Sequence, residues 1–149
     1  MKLAYIWINE HKVLKNIQLI IDSSLKCDYK NGVLTINRNK SATEYYNGVS
    51  ISAIIGKNGT GKSTVLEFLE DSASGGNSSG IIVWYDDAKS IYICPVNIYI
   101  KKTNILTTEK YSIIDNYQEF LKIKNISLIK SSNLTDANRL DVIKKRKSK

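Results

Sequence analysis

Apolar residues along the first part of the chain come in short blocks cut by polar turns, the spacing of strands more than of long helices. The block "LAYIWI" (residues 3–8) and the block "IQLIID" (residues 17–22) flank a polar stretch around Asn9, Glu10, His11 and Lys12, which predicts an antiparallel pair. A second hairpin is predicted in "CDYKNGVLTINRN", where Asn31-Gly32 separates two alternating segments and supplies the positive φ angles of a tight turn. Next comes "VSISAII" (residues 49–55), nearly continuous in β-branched residues, the pattern of a strand buried on both faces and the best candidate for a central strand.

In "KSTVLEFLED" the residues Val65, Leu66, Phe68 and Leu69 are spaced as one apolar face of a helix, predicted to end near Asp71. The glycine- and serine-rich "SASGGNSSG" (residues 72–80) predicts a flexible loop. Strands resume at "IIVWY", turn at "DDAK", return through "SIYIC" and continue past Pro95 as "VNIYI". Further on, "SIIDNYQEFLKI" has helical character, "ISLI" (residues 126–129) is strand-like, and "DANRLDVIKKRK" has the composition of a basic closing helix. There is no repeat, heptad pattern or second-domain linker, so residues 1–149 are expected to form one domain.

Composition narrows this picture. At 149 residues with 42% apolar content, the chain can bury a core. The first apolar run ends well short of a membrane span and does not resemble a signal peptide, so a soluble, cytoplasmic protein with no membrane contact is expected. Cys27 and Cys94 lack metal-ligand spacing and are expected to be buried free thiols. His11, the single histidine, lies in a predicted polar turn and is assigned no role. Of the formal net charge of +8, a net +5 lies in residues 139–149, a basic C-terminal tail expected to be a solvated end.

The chemistry is concentrated in "AIIGKNGTGKSTVLEFLE". Gly56, Lys57, Asn58, Gly59, Thr60, Gly61, Lys62 and Ser63 match the phosphate-binding pattern G-x-x-x-x-G-K-[ST] without a mismatch, between a predicted strand and a predicted helix. Glycines let the backbone wrap a phosphate chain with its amides inward, and the helix N-terminus adds partial positive charge. Lys62 would reach the β- and γ-phosphates as the catalytic cation, Ser63 would ligate Mg²⁺, and Thr64 would add a contact nearer the α-phosphate. ATP with Mg²⁺ is the expected ligand.

This segment resembles the Walker A region of ATPases of the ABC/SMC-like class, where Asn-Gly precedes x-Gly-Lys-Ser-Thr and a leucine-rich helix follows. The opening "MKLAYIWINEHKVLKNIQLII" is similar to the N-terminal strand pair of bacterial AAA family ATPases of this class, including those of anti-phage defence and DNA-repair systems. Residues 81–100 resemble its small antiparallel subdomain, and "ISLIKSSNLTDAN" the strand and turn that follow it. The resemblance implies an α/β P-loop NTPase fold, here an N-terminal, β-rich and incomplete portion around a central strand–P-loop–helix unit. It implies an N-terminal strand pair on the adenine side of the nucleotide, and a homodimer or a second ATPase chain as partner. Members of the class continue to a signature motif, a Walker B strand and a switch histidine. Here "IIVWYDD" has the form of a Walker B strand, but "SIYIC" follows at once, which puts Asp86 and Asp87 at a hairpin tip; "ASGGN" resembles the signature but reads as loop.

Two other functions fit parts of the chain. A self-contained P-loop kinase would clamp the transferred phosphoryl group with several arginines, whereas this chain has Arg38, Arg139 and Arg146 alone. A nucleic-acid-binding module would rest on the basic tail and the nine tyrosines, most of which fall in strand-like segments where aromatic rings pack a sheet.

Overall fold

The structure, a computed structural model, describes residues 1–39, 52–57 and 59–129. It is a small mixed α/β arrangement of two sheets and two α-helices. Strand β1 (Lys2–His11) pairs antiparallel with β2 (Leu14–Ile20) in the predicted hairpin, with Lys12 in the turn at φ 52°. Strands β3 (Leu25–Lys30) and β4 (Val33–Arg38) form the second one. Their turn residues Asn31 and Gly32 take φ 51° and 79°, the left-handed pair that the Asn-Gly signal predicts.

Helix α1 (Lys62–Ser74) outruns its predicted end by three residues and stops where Gly75 turns left-handed at φ 79°. It buries Val65, Phe68, Leu69 and Ser72, while Leu66, expected on the apolar face, is exposed. Strands β5 (Ser79–Tyr85) and β6 (Ile91–Val96) are the expected hairpin around "DDAK". The chain does not continue as a strand through "VNIYI": Asn97 adopts φ 49° and its side-chain amide donates 2.7 Å bonds to the Gly76 and Ser78 carbonyls, which ends β6 at Val96. A 3₁₀ turn (Lys102–Asn104) leads into β7 (Ile105–Leu106) and β8 (Tyr111–Ile113), and α2 (Tyr117–Ile123) follows. The predicted helix over residues 112–123 therefore forms only in its second part, starting at Asn116, whose side chain accepts the Glu119 N–H at 3.0 Å. Residues 126–129 form no strand; the Ile126 N–H caps α2 on the Leu121 carbonyl at 2.9 Å. The predicted closing helix and the basic tail lie outside the described residues.

The larger sheet has the order β2-β1-β5-β6-β8, and the smaller β3-β4-β7; β6–β8 and β4–β7 are parallel and the other pairs antiparallel. Side-chain alternation sends Tyr5, Trp7, Ile81 and Val83 toward a core shared with Leu25, Leu34 and Ile36 of the small sheet. Ile6, Ile8, Ile82 and Trp84 point the other way, onto Val65, Phe68, Phe120 and Leu121 of the helices. Strands β1, β5 and β6 thus contribute buried side chains to both cores, and β5 is the central one. The expected central strand at residues 49–55 is not found: residues 49–51 lie outside the described ones, and residues 52–57 form no strand, with Ile55 92% exposed. A continuous apolar run marks a two-faced strand only if neighbours hydrogen-bond both its edges, and here the segment is tied by the Ser52 hydroxyl donating to the Ile21 carbonyl and by partial packing of Ile54. Cys27 and Cys94 are buried and free, as expected. Among the described residues no helix is long and apolar enough to cross a membrane.

Candidate functional site

The glycine loop is built from its backbone angles. Gly59 and Gly61 sit at φ 81° and 86°, a region that L side chains enter at a cost. Around Gly59 there is open space, so conformation alone requires a glycine; at Gly61 an added Cβ would also come within 2.7 Å of Leu14 Cδ2. At Gly56 it would lie 2.7 Å from the Thr60 hydroxyl, which itself donates to the Lys57 carbonyl at 2.8 Å. Asn58 lies outside the described residues.

Gly61 is the N-cap of α1, and Val65 N–H reaches its carbonyl at 3.1 Å as the first helical bond. The amides of Ser63 and Thr64 in that first turn have no carbonyl partner within the helix. No side chain caps this end, and its first turn contains no acid. Both would otherwise occupy or oppose an anion there. Lys62 Nζ folds back across the loop and donates to the Gly56 and Lys57 carbonyls, each at 2.6 Å. The cation is held at the mouth of the loop by neutral acceptors, partners that an anionic phosphate oxygen would replace with a bond between opposite charges. Gly59, Gly61, Lys62, Ser63 and Thr64 line one depression of about 380 Å³, closed on one side by the exposed Val13.

Sequence reasoning missed how the β1–β2 turn supports this loop. Leu14 packs beneath Gly61, Val13 borders the depression, and Lys12 pairs with Glu67 of α1 at 2.7 Å. Val13 and Leu14 look like ordinary turn and strand residues, and only the placement of α1 against β1 brings them to the loop. The far end of α1 is anchored by a second unforeseen set. His11 is not in a polar turn; it is buried at the end of β1 with Nδ1 2.6 Å from the Ser78 Oγ. The Ser78 hydroxyl and N–H both donate to Asp71, and these two bonds hold its carboxyl below the usual carboxylate range. Since Ser78 gives its single hydroxyl proton to the ionised Asp71, His11 must donate from Nδ1. Together with the Asn97 bonds, this corrects the expectation of a flexible loop over residues 72–80: part belongs to α1, part to β5, and the rest is pinned by side chains.

The acids of "IIVWYDD" are at the hairpin tip. Asp86 accepts the Ser90 N–H and the Tyr92 hydroxyl at 2.8 Å each. Against the upward pull of desolvation, those bonds keep its carboxyl below its usual range. In "ASGGN", Ala73 and Ser74 are the last residues of α1 and Gly75 caps it. Arg38 is occupied far from the loop, donating to Glu109 at 3.2 Å and to the Lys89 carbonyl at 3.4 Å; Arg139 and Arg146 lie outside the described residues. Among the described residues no cluster of three or more histidine, cysteine or acidic groups is arranged to hold a metal. A metal at this loop would therefore rely on the Ser63 hydroxyl together with phosphate and water oxygens, as small divalent cations at phosphates commonly do. Comparison of the chain with family models, with curated proteins and with solved structures found no match in any of the three.

Proposed function

We propose that residues 56–64 bind the polyphosphate of ATP with Mg²⁺, and that the chain acts as the nucleotide-binding part of an ABC/SMC-like ATPase in the cytoplasm, working with a second copy or a second ATPase chain. The observation that carries this reading is the junction at Gly61-Lys62: an unbroken phosphate-loop pattern opens into a helix N-terminus free of capping side chain and acid. The roles follow from that junction. Backbone amides of the loop and of the first turn take phosphate oxygens, Lys62 neutralises the β- and γ-phosphates, and Ser63 offers its hydroxyl to Mg²⁺. Hydrolysis requires in addition a carboxylate that orients water, and no acid lines the depression among the described residues. Binding is therefore the activity assigned to this chain, with turnover in an assembly that supplies the acid. The bound Arg38 weighs against a phosphate-transferring kinase.

Isothermal titration of the protein with ATP and with a non-hydrolysable analogue, both with Mg²⁺, tests the reading. The wild type should bind both ligands. Lys62→Ala should lose about 2–3 kcal/mol, the weight of hydrogen bonds to a charged group, and keep its circular dichroism spectrum. A wild-type protein that ignores both ligands, or a Lys62→Ala variant of unchanged affinity, would overturn it.

A further inference from the structure

Of the seven tyrosines among the described residues, six are buried or half-buried in the sheets and against the helices, as aromatic residues of strand-like segments should be. Tyr99 is the exception, 84% exposed and with no ring contact among the described residues. Its exposure is imposed by its neighbours. Ile98 and Ile100 pack toward the core between the two sheets, which leaves Tyr99 between them and Lys101 after them exposed. Lys102 and Tyr111 line the same cavity as Tyr99, about 810 Å³, and the exposed Lys110 precedes Tyr111 in the chain. Lys101, Lys102 and Lys110 make no ion pair among the described residues, and Asp115 is the one acid in the lining.

We propose that this face binds single-stranded nucleic acid, with Tyr99 stacking on a base and Lys101, Lys102 and Lys110 meeting the backbone phosphates. An exposed ring costs apolar hydration for no packing in return, and a base offers the flat partner that it lacks. Lys102 in the same cavity, with the exposed Lys101 and Lys110 next in the chain to lining residues, supplies the complementary charge for a polyanion. An acidic peptide would use the lysines and leave the ring without a stacking partner. The face is separate from the glycine loop, so binding here stands or falls independently of ATP.

Fluorescence anisotropy of a labelled oligothymidine, titrated with the full chain over a series of salt concentrations without nucleotide, tests the proposal. Tyr99→Ala should weaken binding by roughly 5- to 100-fold with an unchanged salt slope, and Tyr99→Trp should restore it. The Lys101→Ala, Lys102→Ala double variant should weaken binding and lower the slope by about 0.7 for each phosphate that is no longer neutralised. Lys30→Ala, which removes a single charge on the β3–β4 hairpin, should stay within about twofold of the wild type. The proposal is overturned if the oligonucleotide does not bind, or if Tyr99→Ala binds like the wild type. It is equally overturned if Lys30→Ala weakens binding as much as the double variant, or if polyglutamate competes fully and the Tyr99 change has no effect on either ligand.

Discussion

Gly61 and Leu14 meet so closely that a methyl group on the first would lie 2.7 Å from Cδ2 of the second. Leu14 is the first residue of β2, Gly61 the last before α1, and their contact seats the glycine loop on the β1–β2 hairpin. Gly61→Ala should therefore be destabilising twice over, by about 1–2 kcal/mol for the left-handed backbone and by more for the collision. Leu14→Ala, which leaves a cavity, should cost about 2–3 kcal/mol by itself. In combination the two should cost less than their sum by about 1 kcal/mol, because the shortened side chain makes room for the new methyl. Urea unfolding of the four proteins measures this coupling, and strict additivity would contradict the contact.

The Ser78–Asp71 bonds predict an acid limb in the stability curve. A carboxyl whose folded pKa lies below its unfolded value stabilises fully above the unfolded value, and that stability drains away as the pH falls through the folded one. For Asp71, held below its ordinary 3.8, the contribution is complete above about pH 5 and is lost on further acidification. Ser78→Ala should raise the Asp71 titration toward its ordinary value, flatten this limb and cost about 1–2 kcal/mol at neutral pH. A carboxyl titration followed by NMR that does not move on the substitution would show that the bonds do not form.

Both thiols should be inert in the native protein. Burial pushes the Cys27 thiol up to about 12, and burial likewise raises Cys94. At pH 8 the thiolate of Cys27 is then about one part in ten thousand, and thiolate is the reacting form. Ellman's reagent should find essentially no thiol before denaturation and both cysteines after it. Fast labelling of the folded chain would refute the buried placement.

Much of the architecture was legible where the signal is local. Asn31-Gly32 names its own turn, "DDAK" interrupts two apolar runs, and the amphipathic run after Lys62 gives its helix, because each depends on residues within a few positions of one another. The helix start just after the glycine turn was legible for the same reason. What escaped depends on partners distant in the chain. Ile55 looks like a core residue until it is known which strands flank it, and the larger sheet is completed by β1, β2, β5, β6 and β8 instead. His11 reads as polar between Glu10 and Lys12, yet the pairing of β1 with β5 sets it beside Ser78 and buries it. The serine- and glycine-rich composition of residues 72–80 gave no hint that the Asn97 side chain would fasten two of their carbonyls. Asn97 itself sits in a block that reads as strand, where a single left-handed residue is enough to change the direction of the chain.

The adjacency of β1 and β5 also bears on how the chain reaches its native state. Their register joins Ile8 to Gly80 and Lys2 to Tyr85, so the whole glycine loop and α1 belong to a long excursion between two strands that lie side by side. Closing that excursion is entropically expensive, and the hairpins on either side of it form in microseconds without it. Refolding should accordingly be limited by a late event, the meeting of the β1–β2 and β5–β6 ribbons, on the millisecond-to-second scale of topologies rich in distant pairings. Until that meeting takes place, the His11 ring has no Ser78 hydroxyl to bind.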